Sequence, residues 1–446
     1  MAITTLAERG ELSRAARSFL RTESGSAVLL LTAAVAALVW ANLGRGYEDF
    51  WHTELSFVLG GAELTEDLRH WINDGLMVLF FFSVGMEISR EVTLGELRGI
   101  RALAAPTIAA VGGLTVPAGL YLLFNAGGPG AGAWGIAIST DTAVVIGVLA
   151  LVGPRCPDQL RVFLLALSIV DDIGAVAAIA IFYTDDVQVG ALLLAAGLFV
   201  ALLALRFVRF WRTPFYVLVG LVMWLAVLQS GVHPSVVGVA LGLLVNAYAP
   251  RPADISRVQL LGRSFLVDPS PQRALATQIA VTEAVSPNER LQLRIQPWSS
   301  YVIVPLFVLA NAGVVLTGST LLAAATSPVT WGIVVGLTVG KLVGVTAGTW
   351  VALRTGLGRV PDTLRWGQLV GGAGLAGIGF TVALFVTELA LDDPGLVNQA
   401  KIGILAGSIL AGVIGWTIFR VGGERGGQCA PTGLPLLPPR PWRPPA

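Results

Sequence analysis

Charged and chemically reactive side chains are scarce in this chain. Charged residues make up 13% of its 446 residues, and it has two cysteines, three histidines and two lysines. No nucleophile–base pair or metal-ligand spacing is evident, so we expect neither an enzyme nor a bound cofactor. The net charge is only +1 and no basic run is present, so we expect no nucleic-acid partner.

Apolar residues and glycine are abundant instead. Hydrophobic residues account for 54% of the chain, its mean hydropathy is +0.75, and it has 53 glycines. Ordinary soluble domains do not reach this hydropathy, and glycine lets membrane helices approach closely. We therefore predict an all-α polytopic protein embedded in membrane lipid. The first 24 residues are Arg-rich and lack the apolar core of a cleavable signal peptide.

Twelve apolar segments predict twelve transmembrane helices. They form a transmembrane domain over residues 25–422, between an N-terminal segment (1–24) and a Pro-rich, disordered tail (423–446). The segments run over residues 25–43, 71–89, 102–124, 132–152, 160–182, 188–208, 213–230, 232–250, 298–317, 329–352, 365–390 and 399–421.

The basic residues predict the orientation of these helices. If the N-terminus is cytoplasmic, all basic residues except Arg45, Arg69, Lys341 and Lys401 fall on the cytoplasmic side. Membrane proteins keep their Arg-rich loops in the cytoplasm. We therefore predict an inner (plasma) membrane protein with both termini cytoplasmic.

Two loops have patterns of their own. In the first outside loop, residues 44–70, the run LSFVLGGAELT predicts a β-hairpin around a Gly-Gly turn, with a disordered loop as the alternative. The long cytoplasmic loop, residues 250–297, is polar and has a helical pattern over its second half. Cys156 and Cys429 both fall on the cytoplasmic side, where we expect free thiols.

Four charged residues lie in the middle of predicted spans. Asp171 and Asp172 are adjacent in the fifth span, Asp141 lies in the fourth, and Lys341 in the tenth. Each would cost roughly 2.5–3.5 kcal/mol at a helix centre if it were unpaired. We therefore expect these side chains to converge. Three carboxylates beside Thr hydroxyls favour a hard cation or protons as the occupant; neutral structural carboxyl groups are the alternative.

Two spans contain residues that interrupt helices. Asp141 lies in the run STDT, whose side chains compete for backbone hydrogen bonds. The eleventh span has glycines, among them Gly377 and Gly379, shortly before Thr381. Interrupted helices at corresponding places in two halves of a chain are typical of transporter sites. We therefore predict that the fourth and eleventh helices are broken; close helix packing is the alternative role for the glycines.

In these segments the chain resembles the NhaA family of sodium–proton antiporters, over residues 20–422. The similar motifs, in order, are WINDGLMVLFFFSVGMEISRE, AISTDTAVVIGVLALVG, ALSIVDDIGAVAAIAIFYTDD, SGVHPSVVGV, PLFVLANAGV, GKLVG and GIGFTVALF. The resemblance implies an electrogenic Na⁺(Li⁺)/H⁺ antiporter that works by alternating access and serves sodium and pH homeostasis. It also implies inverted-topology repeats and a homodimer with the first outside hairpin in its interface.

The resemblance also assigns roles to single residues. It implies that Asp141 and Asp172 bind Na⁺, with Thr140 beside them. It further implies that Asp171 and Lys341 form a proton-linked salt bridge, and that Asp141 and Lys341 neutralise the ends of the broken helices.

Three more residues are candidates for the funnels or for regulation. The resemblance implies that Glu87 lies in the cytoplasmic funnel; a solvated helix end is the alternative. For Asp74 the pattern favours a helix N-cap over a ligand role, and for His233 it favours a turn or cap over pH sensing.

The chain also departs from the family pattern. Gln292, Leu293 and Gln296 precede Pro297 where the family commonly has a Glu and two His, and Leu342 replaces a familiar Pro. We therefore expect an intact ion site but an altered pH-sensing apparatus.

Two other functions remain open from the residues alone. A cation channel would bind Na⁺ without obligatory coupling to H⁺. A retinal-type proton pump would use Lys341 as a Schiff-base partner, although twelve predicted spans, rather than seven, argue against it.

Overall fold

In the residues that it describes, the computed structural model consists of helices, their connections and one small hairpin. It describes residues 23–44, 46–59, 62–94, 100–152, 158–184, 187–207, 213–360 and 364–421. Most of the predicted N-terminal segment, the Pro-rich tail, the Gly60–Gly61 turn, Cys156 and Cys429 lie outside the described residues.

The helices follow one another with short connections. Their bounds are α1 (Glu23–Leu43), α2 (Gly46–Trp51), α3 (Leu68–His70), α4 (Met77–Leu94), α5 (Ile100–Asn125), α6 (Thr142–Val152), α7 (Asp158–Phe182), α8 (Val189–Phe207), α9 (Thr213–Leu228), α10 (Ser235–Leu244), α11 (Pro252–Val267), α12 (Pro271–Ala284), α13 (Pro287–Trp298), α14 (Val304–Asn311), α15 (Gly318–Thr326), α16 (Pro328–Val335), α17 (Lys341–Arg354), α18 (Trp366–Leu375), α19 (Phe380–Ala390) and α20 (Pro394–Val421). Short π-helical turns at Trp71–Leu76, Ser299–Ile303 and Gly336–Gly340 join α3 to α4, α13 to α14, and α16 to α17. A 3₁₀ helix, Ala131–Ile136, precedes α6.

The long helices are suited to crossing a membrane. Within the described residues, seven helical rods are long and apolar enough to do so, or eight if α18 and α19, bent by 42° at their junction, form one span. Four other apolar helices, α6, α8, α9 and α10, are shorter. The protein is therefore a multi-pass membrane protein. Fewer helices meet the length expected of a membrane span than the twelve spans predicted, because several predicted spans are short or contain non-helical residues.

One predicted boundary in the polar loop before α14 was wrong. The ninth span was predicted to begin near residue 298, but helix runs from Pro287 to Asn311. Ser286 caps this helix by accepting a hydrogen bond from the Glu289 N–H, and Pro287 occupies the first turn. The helical pattern predicted for the second half of this loop is confirmed by α12 and α13, and α11 adds a helix in its first half. Hydropathy detects where a helix becomes apolar rather than where it begins.

The predicted β-hairpin is confirmed. Strands β1 (Glu54–Leu59) and β2 (Ala62–Asp67) pair in antiparallel fashion, with Leu59 opposite Ala62. Asp67 then caps α3, since its carboxylate accepts a hydrogen bond of 2.7 Å from the His70 N–H. The capping role favoured for Asp74 was therefore wrong: Asp74 lies inside the π-helical turn, and the carboxylate of Asp67, whose backbone is extended, provides the cap.

Helices cross closely where glycines face each other. A Cβ on either Gly112 of α5 or Gly344 of α17 would collide with the carbonyl oxygen of the other. A second crossing joins α4 and α10, where a Cβ on Gly85 would lie 3.1 Å from the Cα of Gly242. The first crossing fixes the helix that begins at Lys341 against α5.

We predict that Gly112→Ala destabilises the protein while Gly119→Ala does not. The new methyl group at residue 112 has no space, and overpacking typically costs about 1–3 kcal/mol. Gly119 lies on the same helix with nothing within 4 Å of its added Cβ, so alanine there keeps only its favourable helix propensity. Thermal unfolding of the two detergent-solubilised variants measures the difference. Equal melting temperatures would show that the close crossing is dispensable.

Candidate functional site

Two non-helical segments, residues 137–141 and 376–379, cross inside the protein. The Asp141 N–H donates to the Ile378 carbonyl at 2.7 Å, and the Ser139 hydroxyl lies 3.2 Å from the Gly379 carbonyl. The Thr140 hydroxyl lies 3.0 Å from the Ala376 carbonyl. Backbone groups freed by unwinding need partners away from water. Here each segment supplies partners for the other.

Glycine permits this close crossing. A Cβ on Gly377 would collide with the Leu337 carbonyl oxygen, and one on Gly379 would lie 2.6 Å from the Ser139 carbonyl oxygen. Real Cβ atoms do not approach backbone oxygens so closely. A side chain at residue 379 would therefore push the two segments apart, and one at residue 377 would push segment 376–379 away from the π-helical turn Gly336–Gly340. Close backbone approach therefore explains both glycines.

Asp141 occupies the centre of the crossing and is 3% exposed. Its Oδ1 accepts a hydrogen bond from the Val144 N–H at 3.1 Å. Its Oδ2 accepts two bonds from Thr381, from the backbone N–H at 3.1 Å and from the hydroxyl at 2.6 Å. These donors lie in the first turns of α6 and α19, where helix dipoles carry partial positive charge. One carboxyl group therefore accepts hydrogen bonds from the first turns of two helices.

Asp171 and Lys341 form a fully buried ion pair. The Lys341 ammonium donates to Asp171 Oδ2 at 2.7 Å, and the two side chains are 0% and 1% exposed, respectively. The Thr140 hydroxyl lies 2.8 Å from the same oxygen. Asp171 Oδ1 is buried and has no hydrogen-bond partner among the described residues. One oxygen of the Asp171 carboxylate therefore has both hydrogen-bond partners, and the other has none among the described residues.

Asp172 differs from its neighbour in having no such partner. It is only partly buried, and we find no hydrogen bond to its side chain from the residues that the structure describes. It interacts electrostatically with the acidic groups of Glu87, Asp171 and Asp141 and with the ammonium group of Lys341. Asp172 is thus an acidic group without a donor in a region of excess negative charge.

This arrangement can hold a small hard cation or protons. In the described part of the chain, no group of three or more His, Cys, Asp or Glu side chains is placed to bind a metal ion. A cation at these carboxylates would therefore need further oxygen ligands from hydroxyls or backbone carbonyls. Such oxygens suit an alkali cation better than a tightly bound transition metal.

The regulatory candidates lie in different places. Glu87 is half-buried on α4 and acts electrostatically on Asp172. Asp74 and His233 instead contact each other, with Asp74 Oδ1 3.1 Å from His233 Nε2. The Ser235 N–H donates to His233 Nδ1 at 3.3 Å, so the histidine is also part of the turn before α10.

The chain matches the family model described as Na⁺/H⁺ antiporter 1 over residues 17–419. It belongs to this family. This membership confirms the resemblance identified from the motifs.

Individual relatives in the family are similar over most of the chain. It is 50% identical to Na(+)/H(+) antiporter NhaA 3 of Frankia alni, over 98% of this chain and 95% of the relative. It is 46% identical to Na(+)/H(+) antiporter NhaA 1 of Salinispora arenicola, over 94% of this chain and 64% of the relative. It is 44% identical to the NhaA 1 antiporter of Mycolicibacterium vanbaalenii, over 96% and 70%.

Sequence reasoning missed three contacts in this antiporter-family member. It treated Thr381 only as part of a helix break, and it assigned no contact to Ser139. It placed Lys401 at the outer end of the last helix but did not predict its contact: Lys401 is 4% exposed and lies 2.8 Å from Glu388 Oε1. The available signal for the last contact was that both residues are isolated charges in apolar runs.

We predict that charge removal at Asp171 and Lys341 is non-additive. Asp171→Asn or Lys341→Gln alone leaves one buried charge unpaired, which typically costs about 3–5 kcal/mol. The double variant removes both charges and should melt at a higher temperature than at least one single variant. Thermal unfolding of the four proteins completes the cycle. If the double variant equals the sum of the singles, the two residues are energetically independent.

Proposed function

We propose that this protein exchanges Na⁺ or Li⁺ for H⁺ across a membrane. The observation that carries the proposal is the Asp172 carboxylate, which has no hydrogen-bond donor among the described residues and interacts electrostatically with Asp141 and with the Asp171–Lys341 ion pair. Family membership and the names of the relatives support the same exchange. The transported ions are substrates, and no resident cofactor is part of the mechanism.

The exchange follows from competition for the same oxygens. Asp172 and Asp141 bind Na⁺, with Thr140 nearby as a further oxygen source. A proton on Asp172 neutralises the charge that attracts the cation, so the group holds either ion but not both. Alternate loading from the two sides of the membrane then couples the two fluxes.

The buried ion pair provides a second place for a proton. Protonation of Asp171 neutralises its carboxylate and removes the attraction that holds Lys341. The Lys341 ammonium is then left without a charged hydrogen-bond partner at its present position. Asp172 and Asp171 can each take a proton, whereas the site binds one cation. Exchange of two protons for one Na⁺ moves net charge and is therefore electrogenic. Such an exchanger serves sodium and pH homeostasis.

The architecture supports alternating access. We propose twelve spans, made up of the long rods, the bent pair α18–α19 and the shorter apolar helices, in inverted-topology repeats. The crossing segments at 137–141 and 376–379 are then the breaks in the fourth and eleventh spans, where small tilts change access to Asp141. The protein lies in the inner membrane with both termini in the cytoplasm. It forms a homodimer through the β1–β2 hairpin.

Inside-out vesicles with a respiration-driven acid interior test the function. Added Na⁺ should dissipate the acidity, and Asp172→Asn should slow this by orders of magnitude because the shared ligand is lost. Glu283→Gln is a matched control, since its exposed carboxylate pairs with Arg257 at the surface, and it should retain activity. If added Na⁺ does not dissipate the acidity at any pH between about 6.5 and 9, the proposal is wrong. Na⁺ entry without proton movement would indicate a channel instead.

We also predict that Na⁺ shifts the pH profile of activity. The chain has three histidines, of which His52 and His70 lie against Asp67 and His233 against Asp74. Near the C-terminal end of α4, Arg90 donates a hydrogen bond to the side chain of Gln292, which cannot titrate.

Acid inhibition should then come mainly from competition between H⁺ and Na⁺ at the ion site. The acid limb should move to lower pH as Na⁺ rises, by up to about one pH unit per tenfold change for one-to-one competition. Activity measured across pH at several Na⁺ concentrations decides the point. An acid limb that stays fixed at saturating Na⁺ would reveal a separate sensor.

A further inference from the structure

Thr381 makes the hydroxyl contact to the central carboxylate. Its Oγ1 donates to Asp141 Oδ2 at 2.6 Å, and its side chain is buried, with the residue 4% exposed. It lies in the first turn of α19, directly after the crossing segment.

The hydroxyl expected beside Asp141 is engaged elsewhere. Thr140 lies 2.8 Å from Asp171 Oδ2 and 3.0 Å from the Ala376 carbonyl, and its single proton serves one of these acceptors. Thr140 therefore contacts the ion-pair side of the cluster. Thr381 is the hydroxyl that faces Asp141.

A hydroxyl can change its role without moving its oxygen. It has one proton and two lone pairs, and rotation about the Cβ–Oγ1 bond redirects only the proton. With the proton toward Asp141, the Thr381 hydroxyl is a donor that satisfies the carboxylate. With the proton turned away, lone pairs of the hydroxyl and of the carboxylate oxygen can both coordinate a cation that lies to one side of the two oxygens, and oxygen ligands suit Na⁺ and Li⁺.

We propose that Thr381 is a ligand of the transported cation and that its hydroxyl alternates between donating to Asp141 and coordinating the ion. The inference rests on the proposed antiport and adds a specific ligand to its site. Since Asp141 lies at the start of α6 and Thr381 at the start of α19, a shared cation would link the two helix N-termini. Ion occupancy is thereby communicated to the position of α19.

Three variants at residues 381 and 387 test this role. Thr381→Val keeps the shape but removes the hydroxyl, and should raise the KM for Na⁺ roughly ten- to hundredfold, the loss expected for an interaction with a charged group. Thr381→Ser restores the hydroxyl and should return the KM to near the wild-type value. Thr387→Val is the matched control: Thr387 is buried on the same helix and its hydroxyl donates only to the Ala383 carbonyl, at 2.8 Å. It should leave the KM unchanged.

A second variant and a second measurement guard against misfolding of Thr381→Val. Thr381→Cys preserves size and a weak donor, but its soft sulfur is a poor ligand for a hard cation. For each folded variant, melting temperatures in Na⁺ and in choline report how strongly Na⁺ stabilises the protein. We expect the Na⁺-dependent increase to be large for wild type and Thr381→Ser, and small for Thr381→Cys and Thr381→Val.

The outcomes separate this inference from the proposed function. A wild-type protein without Na⁺-dependent proton movement overturns the function itself, and the ligand role with it. An active wild type with an unchanged KM in Thr381→Val or Thr381→Cys overturns the ligand role alone. Lower melting in choline with an unchanged KM would mean that Thr381 only supports the fold. A KM raised equally by Thr387→Val would show a general packing effect and also overturn the ligand role.

Discussion

The cost of placing charge inside a membrane protein governs the arrangement of this molecule. Hydrocarbon offers no solvent for a carboxylate or for a free backbone N–H, so each must find its partner within the protein. At the crossing, Asp141 meets both needs, because it accepts hydrogen bonds from the first turns of α6 and α19. The carboxyl group and the helix starts beside the two non-helical segments therefore depend on each other for hydrogen-bond partners.

Glycine makes this mutual dependence possible. The carbonyl of Leu337 and that of Ser139 lie where side chains on Gly377 and Gly379 would have to be. The same device appears at Gly112 and Gly344, where α5 and α17 cross. Close backbone approach therefore positions both the crossing and the helix that begins with Lys341. Packing, rather than flexibility, is what these glycines contribute.

Much of this could be predicted from the sequence, because charge in an apolar run is conspicuous. Asp141, Asp171, Asp172 and Lys341 were identified as a set for this reason, and the hairpin was recognisable from its alternation and its Gly-Gly turn. The partners of these charges could not be found in this way. The bond from Thr381 to Asp141 joins residues 240 positions apart, and threonine in a membrane span is too common to attract attention. The start of α13 was missed for a related reason, since its first turns are polar and carry no hydropathy signal.

The two buried lysines have a practical consequence for the chemistry of the surface. Lys341 is 0% exposed and Lys401 is 4% exposed, each beside a carboxylate, and the sequence has no other lysine. Every other basic side chain is an arginine, whose guanidinium does not react with the acylating reagents that modify primary amines. The folded protein therefore presents almost no side-chain amine to such reagents. Acylation of these two lysines would then report opening of the helical core. Lys341 would report on the α5–α17 crossing, and Lys401 on the contact between α19 and α20.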